Sequence, residues 1–190
     1  MPAQIREIAP AALDLSLGRL RLLAEPRVTE MMVSLRDKGQ LSALVAASHA
    51  STPVLVDGFI RQSAAKRVGM SSVYVEVHDL ASEQMKAQMY LRNRQRGLLL
   101  IEECRLVDEL HRADGMDQVD IATALERHKS WVCRRLALHR HLSPNLMAQL
   151  AVGRLGGGSI QKLAQLPARN QEEIFAASQR WTLGARETAK

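Results

Sequence analysis

Apolar and polar positions are patterned in two ways along this chain, and the change comes near residue 80. Before it, Gln4 to Ile8, Leu41 to Ala47, Pro53 to Val56 and Val73 to Val77 read as short strands. The second and third, separated by the small polar stretch Ser48 to Thr52, form a hairpin or lie as neighbours. Thr29 as N-cap and Gly39 as C′ stop bracket a helix over Glu30 to Lys38, with Met31, Met32 and Leu35 as its apolar face. Asp57 and Gly58 end the third strand, and a helix from Phe59 to Val68 follows, with Ala64 and Ala65 suited to close packing and Gly69 as its stop. Pro10 to Gly18 reads as turn and loop. From Ser82 onward only helical spacing remains: Ser82 to Tyr90, Leu99 to His111, a helix capped by Ser143 with Pro144 at N1 that runs to Val152, and Ile160 to Leu166 after a break at Gly153 and Gly156 to Gly158. The fold class is α+β: a small α/β domain over residues 1–80, an all-helical domain over 81–167 and a helical tail over 168–190.

The stretch Gln118 to Leu138, QVDIATALERHKSWVCRRLAL, constrains function most. It reads as two short helices joined by a turn. Ile121, Ala122 and Leu125 share one side of the first, and Val132 and Leu136 form an i, i+4 stripe on the second. At about 100° per residue, Ser130, Trp131 and Arg134 point away from that stripe, where a recognition helix places the side chains that enter a DNA groove. An amphipathic helical hairpin with a solvated basic face gives the same pattern. The turn position that helix-turn-helix units usually fill with glycine is Glu126, which either takes a strained backbone or uses a different turn.

Composition narrows the partners. The chain has 190 residues, 46% of them hydrophobic and only 3% aromatic, so its core is aliphatic and it has few platforms for stacking single-stranded bases. A net charge of +6 favours phosphate-bearing ligands. The charge is local: Glu126 to His141 holds five Arg/Lys and three His against one Glu, and Arg92, Arg94 and Arg96 form a second cluster. Lys129, Ser130, Trp131 and Arg134 are the candidates for the major groove, with Arg135 and Arg140 on phosphates. Trp131 has an equally good role packing against the helix Ser143 to Val152. Cys104 and Cys133 are the only cysteines, are not paired in a CxxC and fall on helical patterns, the usual setting of buried or semi-buried structural thiols in a reduced, cytoplasmic protein. His128, Cys133, His139 and His141 lack paired ligand spacing, so no metal site is expected, and no catalytic triad, P-loop or carboxylate cluster is present. Neither a leader nor a membrane-spanning run stands out.

The order of pieces resembles the ParB family of partition proteins over about residues 5 to 167: SLRDKGQLSALVA from Ser34, LVDGFIRQSAAKRVG from Leu55, RNRQRG from Arg92, then the two-helix unit. That resemblance implies a ParB/sulfiredoxin-like N-terminal domain ahead of a DNA-binding helical domain, in a nucleoid-associated protein of plasmid or chromosome partition. It implies double-stranded DNA as partner, a ParA-type ATPase beside it, and a homodimer. Only some 23 residues follow Pro167, whereas ParB proteins carry a dimerisation domain there. The short form also resembles ParB-like proteins of mobile elements, so a transposase partner or a role in transcription regulation stays open. In the family a glycine-led loop and an Asn-x-x-Arg segment hold CTP and magnesium, and a CTP hydrolase switching a DNA clamp is the enzymatic alternative. By residue matching, Gly58, Arg61 and Ala64 fall on the first motif and Asn93 and Arg96 on the second. Phe59, Ile60 and Ser63 replace an acid and two basic positions, and Arg92 stands where the family has glutamate, which removes charge-assisted contacts to a triphosphate and sets a cation beside the metal position. The alternative is that the loop survives as scaffold, with Phe59 and Ile60 packed and Arg61 on the surface. The sulfiredoxin likeness brings no activity, because the loop carries no thiol.

Overall fold

The structure is a computed structural model and describes residues 4–48, 52–95, 98–155 and 157–181. The chain forms two compact units, Met1–Gln95 and Arg96–Lys190.

The first unit is built on a four-stranded sheet in the order β1-β4-β2-β3, formed by β1 (Gln4–Ile8), β2 (Leu44–Ser48), β3 (Val54–Asp57) and β4 (Val73–Asp79). β2 and β3 pair antiparallel, as a hairpin does, while β4 runs parallel to β2 and antiparallel to β1. The parallel pair needs a crossover, which α2 (Phe59–Arg67) supplies, packed on α1 (Glu25–Lys38). Leu44 to Ala47 of β2 are all buried, as a central strand covered on both faces requires, whereas β1 is an exposed edge. The open edge of β3 is closed by the chain after β1, where Asp14 and Leu55 exchange backbone hydrogen bonds with their neighbours across the gap.

α1 begins five residues earlier than the Thr29 cap predicts. Pro26 starts it with a residue that needs no intrahelical N–H partner, and Thr29 lies inside the helix with its hydroxyl donating back to Glu25 O at 3.2 Å. Gly39 ends it at φ +66°, as expected. The helix α3 (Ser82–Asn93) also differs from expectation. Ala81 is its N-cap, and Gln84 Oε1 accepts the Ala81 N–H at 3.0 Å in place of a serine cap. Its buried Met85, Met89 and Tyr90 pack it on β3, so the boundary between units falls after α3 and not at residue 80.

The second unit contains α4 (Leu100–Arg112), α5 (Gln118–Ala124), α6 (Lys129–His141), α7 (Pro144–Ala151), α8 (Gly157–Leu163) and α9 (Ala168–Trp181). Its core is aliphatic: Ile101, Leu106, Leu110, Ile121, Leu125, Leu146, Ile160 and Leu163 are each under 2% exposed. Gly157 and Gly158 open α8 where the glycine run suggested a break, and Gly156 lies outside the described residues. The stretch from residue 168 is not a separate tail. Gln171 is fully buried, accepts the Ser143 N–H at 3.0 Å and donates to His141 O at 2.7 Å and Leu166 O at 2.8 Å, tying α9 to the ends of α6 and α8 and the start of α7.

Candidate nucleic-acid interface

The geometry of α6 is set at its start by three devices. Asp117 caps α5 by accepting the Val119 and Asp120 N–H groups at 2.7 and 2.8 Å. These bonds hold its carboxyl below the usual carboxylate range. After α5 the chain turns at Glu126, the single non-glycine residue with positive φ (51°) among those described. Arg127 N–H reaches back to Ala122 O at 2.8 Å and Glu126 N–H to Thr123 O at 3.1 Å, a Schellman closure built around a glutamate. Of the two possibilities open for Glu126, the left-handed backbone is the one adopted. The third device is His128, whose Nδ1 caps α6 by accepting the Ser130 N–H at 3.2 Å, with Ser130 Oγ 2.8 Å away. A histidine cap leaves no signal in the usual cap alphabet of Ser, Thr, Asp and Asn.

Behind this entry, Ile121, Ala122, Leu125, Val132 and Leu136 are buried together, so the shared core of α5 and α6 is the predicted one. The predicted outer residues divide in two. Lys129, Ser130, Arg134 and Arg140 are exposed along the outer face of α6, together with Ala137 and His141. Trp131 is half-buried, with the guanidinium carbons of Arg127 and Arg135 at 5.4 and 4.5 Å from its ring centroid. Arg135, expected on phosphate, instead directs Nε and Nη2 to Glu103 Oε2 of α4 at 2.9 and 2.6 Å, and both side chains are largely covered. Local sequence pattern carries no sign of this partner, because Glu103 lies 32 residues away.

The two thiols also part company. Cys104 is buried, and loss of water around it pushes its thiol up to about 12. Cys133 departs from the expected structural role and is exposed on the outer face of α6. Arg134, Ala137, Leu138 and His141 form one wall of an open cavity of about 450 Å³, with Gln161, Ala164 and Gln165 of α8 opposite.

In the first unit the structure brings Asp57, Gly58, Arg61 and Asn93 together. Gly58 takes φ +100° at the N-cap of α2, and a Cβ there would lie 3.0 Å from Leu44 Cγ. Arg61 turns inward: Nη1 donates to Ser42 O and Oγ at 2.7 Å and to Ala43 O at 2.9 Å, and Nη2 lies 3.7 Å from Asp57 Oδ2. Asn93 Nδ2 donates to Asp57 Oδ1 at 3.0 Å and to Met89 O at 2.8 Å. Phe59 is buried and Ile60 half-buried, as the scaffold alternative has them, but Arg61 is half-buried as well instead of lying free on the surface. Ala64 is completely buried and Arg96 lies outside the described residues. The described side chains do not fit a triphosphate with magnesium: the arginine faces carbonyls, and the carboxylate is shared between an arginine and an amide. Among the described residues no group of three His, Cys, Asp or Glu is placed to hold a metal ion, and no helix is long and apolar enough to cross a membrane.

No protein-family model matches the sequence, and no curated protein is significantly similar to it. Solved structures do match in fold. The C-terminally truncated chromosome-partitioning protein ParB from Caulobacter crescentus, complexed to the centromeric parS site, aligns at 22% identity with a TM-score of 0.59, covering 97% of this chain and 96% of that one. A pNOB8-like ParB N-domain aligns at 17% identity with a TM-score of 0.55, covering 98% of this chain and 78% of that one. This chain therefore has a ParB-like fold, in which a mixed α/β unit precedes a helical one.

Proposed function

We propose that this chain is a ParB-like protein that binds double-stranded DNA through α6 as the second helix of a helix-turn-helix, and that its setting is plasmid or chromosome partition. The observation that carries the reading is the outer face of α6: Lys129, Ser130, Arg134 and Arg140 are exposed on a helix whose opposite face is fixed to α4 and α5. A rigid helix with cations on its free side matches the shape and charge of the major groove. Lys129 and Arg140 suit phosphates flanking the groove, and Ser130 and Arg134 suit base edges. The likeness in fold to a ParB complexed to its parS site supports double-stranded DNA as the partner. In a partition setting a ParA-type ATPase is the expected partner. A transposase-associated role or transcription regulation would use the same face, and no feature of the second unit favours either.

The test is selection of duplexes from a random pool by the purified chain, followed by fluorescence anisotropy over a salt series. The expected result is an enriched sequence whose affinity falls with salt, with a slope reporting several phosphate contacts. Failure to enrich or retain any duplex at low salt sinks the reading. The Gly58 loop enters this proposal as scaffold. Isothermal titration with CTP and magnesium is expected to be flat, and a saturable heat would return the loop to nucleotide binding.

A further inference from the structure

The side of α6 away from the exposed cations is held by charge as well as by apolar packing. Arg135 and Glu103 are 14% and 13% exposed, with two N–H groups of one guanidinium on a single carboxylate oxygen. The same guanidinium backs the Trp131 ring at 4.5 Å, and Arg127 lies 5.4 Å from that ring. One turn further along, His139 Nδ1 lies 3.4 Å from Asp108 Oδ1, again on α4. A covered ion pair is weak evidence for stability, since apolar residues of similar volume hold helices together at least as well. It does supply direction. Leucine against leucine tolerates rotation and sliding of one helix on another, whereas a two-pronged guanidinium on a fixed carboxylate does not.

We infer that Glu103 and Arg135 are positioning residues for the DNA-reading helix. Glu103 of α4 fixes the guanidinium of Arg135, and that pair between helices sets the rotation of α6 about its axis; Trp131, on α6 itself, lies against the same guanidinium and registers its position. The aim of Ser130 and Arg134 at a base pair follows from that rotation. This inference rests on the reading of α6 as the DNA-binding element, and it removes Arg135 from the phosphate contacts.

The test turns on the sign of one substitution. Glu103→Gln keeps the shape and releases Arg135 from its carboxylate. If Arg135 positions α6, binding to a short labelled duplex enriched by the wild-type chain weakens about tenfold, and the slope of log affinity against log salt is unchanged. If Arg135 serves as a phosphate ligand, the freed guanidinium leaves affinity equal or tighter with a steeper slope, and the inference is overturned. Trp131 emission, read in a Trp181→Phe background because the chain has a second tryptophan, gives an independent readout, expected to shift in Glu103→Gln as the stack loosens; an unmoved spectrum also overturns it. Should Glu103→Gln lose its cooperative melt, Arg135→Lys carries the same test, because it keeps the charge while losing the planar face, and it is expected to weaken binding with the slope unchanged. If no duplex is enriched, the DNA reading itself fails, while the emission measurement still judges the stack.

Discussion

The turn at Gly58 and the turn at Glu126 both lead the chain through a left-handed residue just ahead of a helix, and the charges that follow go opposite ways. After Gly58, Arg61 folds back onto the Ser42 and Ala43 carbonyls and Asp57 is shared between Arg61 and Asn93. After Glu126, Lys129, Arg134 and Arg140 face solvent. Satisfied internally, the first set of charges fixes a backbone; facing outward, the second set is available to a ligand. Charge count along the sequence does not distinguish the two, because the distinction lies in the partners that the fold brings up. Arg135 makes the same point within a single helix, one residue from Arg134 and directed the other way.

The largest effect is expected at Gly58. Valine there meets both a φ of +100° and Leu44 Cγ at 3.0 Å, so Gly58→Val is expected to destabilise the first unit by about 3 kcal/mol or more in chemical denaturation. The Cβ clash and the strain add, and an unchanged denaturation midpoint would mean that the turn can re-form without its left-handed residue. Arg61→Ala comes next, leaving the Ser42 and Ala43 carbonyls without their charged donor at a cost of about 2 kcal/mol, with DNA affinity unchanged. Arg134→Ala is its mirror image: stability stays within about 0.5 kcal/mol while DNA binding loses about 1–3 kcal/mol by anisotropy. A result in which Arg61→Ala weakened DNA binding, or Arg134→Ala lowered the melting temperature markedly, would erase the contrast between inward and outward charge. Glu126→Gly sharpens it from the other side. Relief of the left-handed strain is expected to raise thermal stability by up to about 1 kcal/mol, net of the extra freedom glycine gives the unfolded chain.

The smallest effect concerns pH. The Asp117 carboxyl is held low by two backbone N–H groups, so its folded-state value lies under its unfolded one. Its contribution is therefore present above the unfolded carboxylate range and disappears as pH falls through the lowered folded value. Melting temperatures of wild type and Asp117→Asn are expected to differ most near neutral pH and to converge in acid; parallel curves would mean that the cap works without its charge.

Much of the fold was legible because short-range chemistry controls it. Gln4–Ile8 pairs over the predicted residues, Gly39 and Gly69 end their helices, and Ser143 caps α7, with its Oγ accepting the Leu146 N–H at 3.3 Å. The misreadings share a cause. Thr29 and Ser82 look like caps by residue type, but Pro26 and Gln84 supply the starts of their helices by other means. In the candidate interface, the apolar stripe of α6 and the exposure of Lys129, Arg134 and Arg140 were readable from period, whereas Arg135, expected on phosphate, is covered against Glu103. Glu103, the His128 cap and the exposure of Cys133 were not readable, since the first needs a partner 32 residues away and the others depend on where the chain turns.

Gln171 has a consequence for chain length. A glutamine side chain ends in a primary amide, which is a peptide group without a backbone: one carbonyl and two N–H donors. Inserted from α9, it serves the Ser143 N–H and the His141 and Leu166 carbonyls as an extra segment of main chain would. Pro167 thus looks like a stop and is not one. A chain ending there would expose three backbone groups at the junction of α6, α7 and α8, and Gln171→Glu, the same shape with acceptors only, would leave two carbonyls facing a carboxylate.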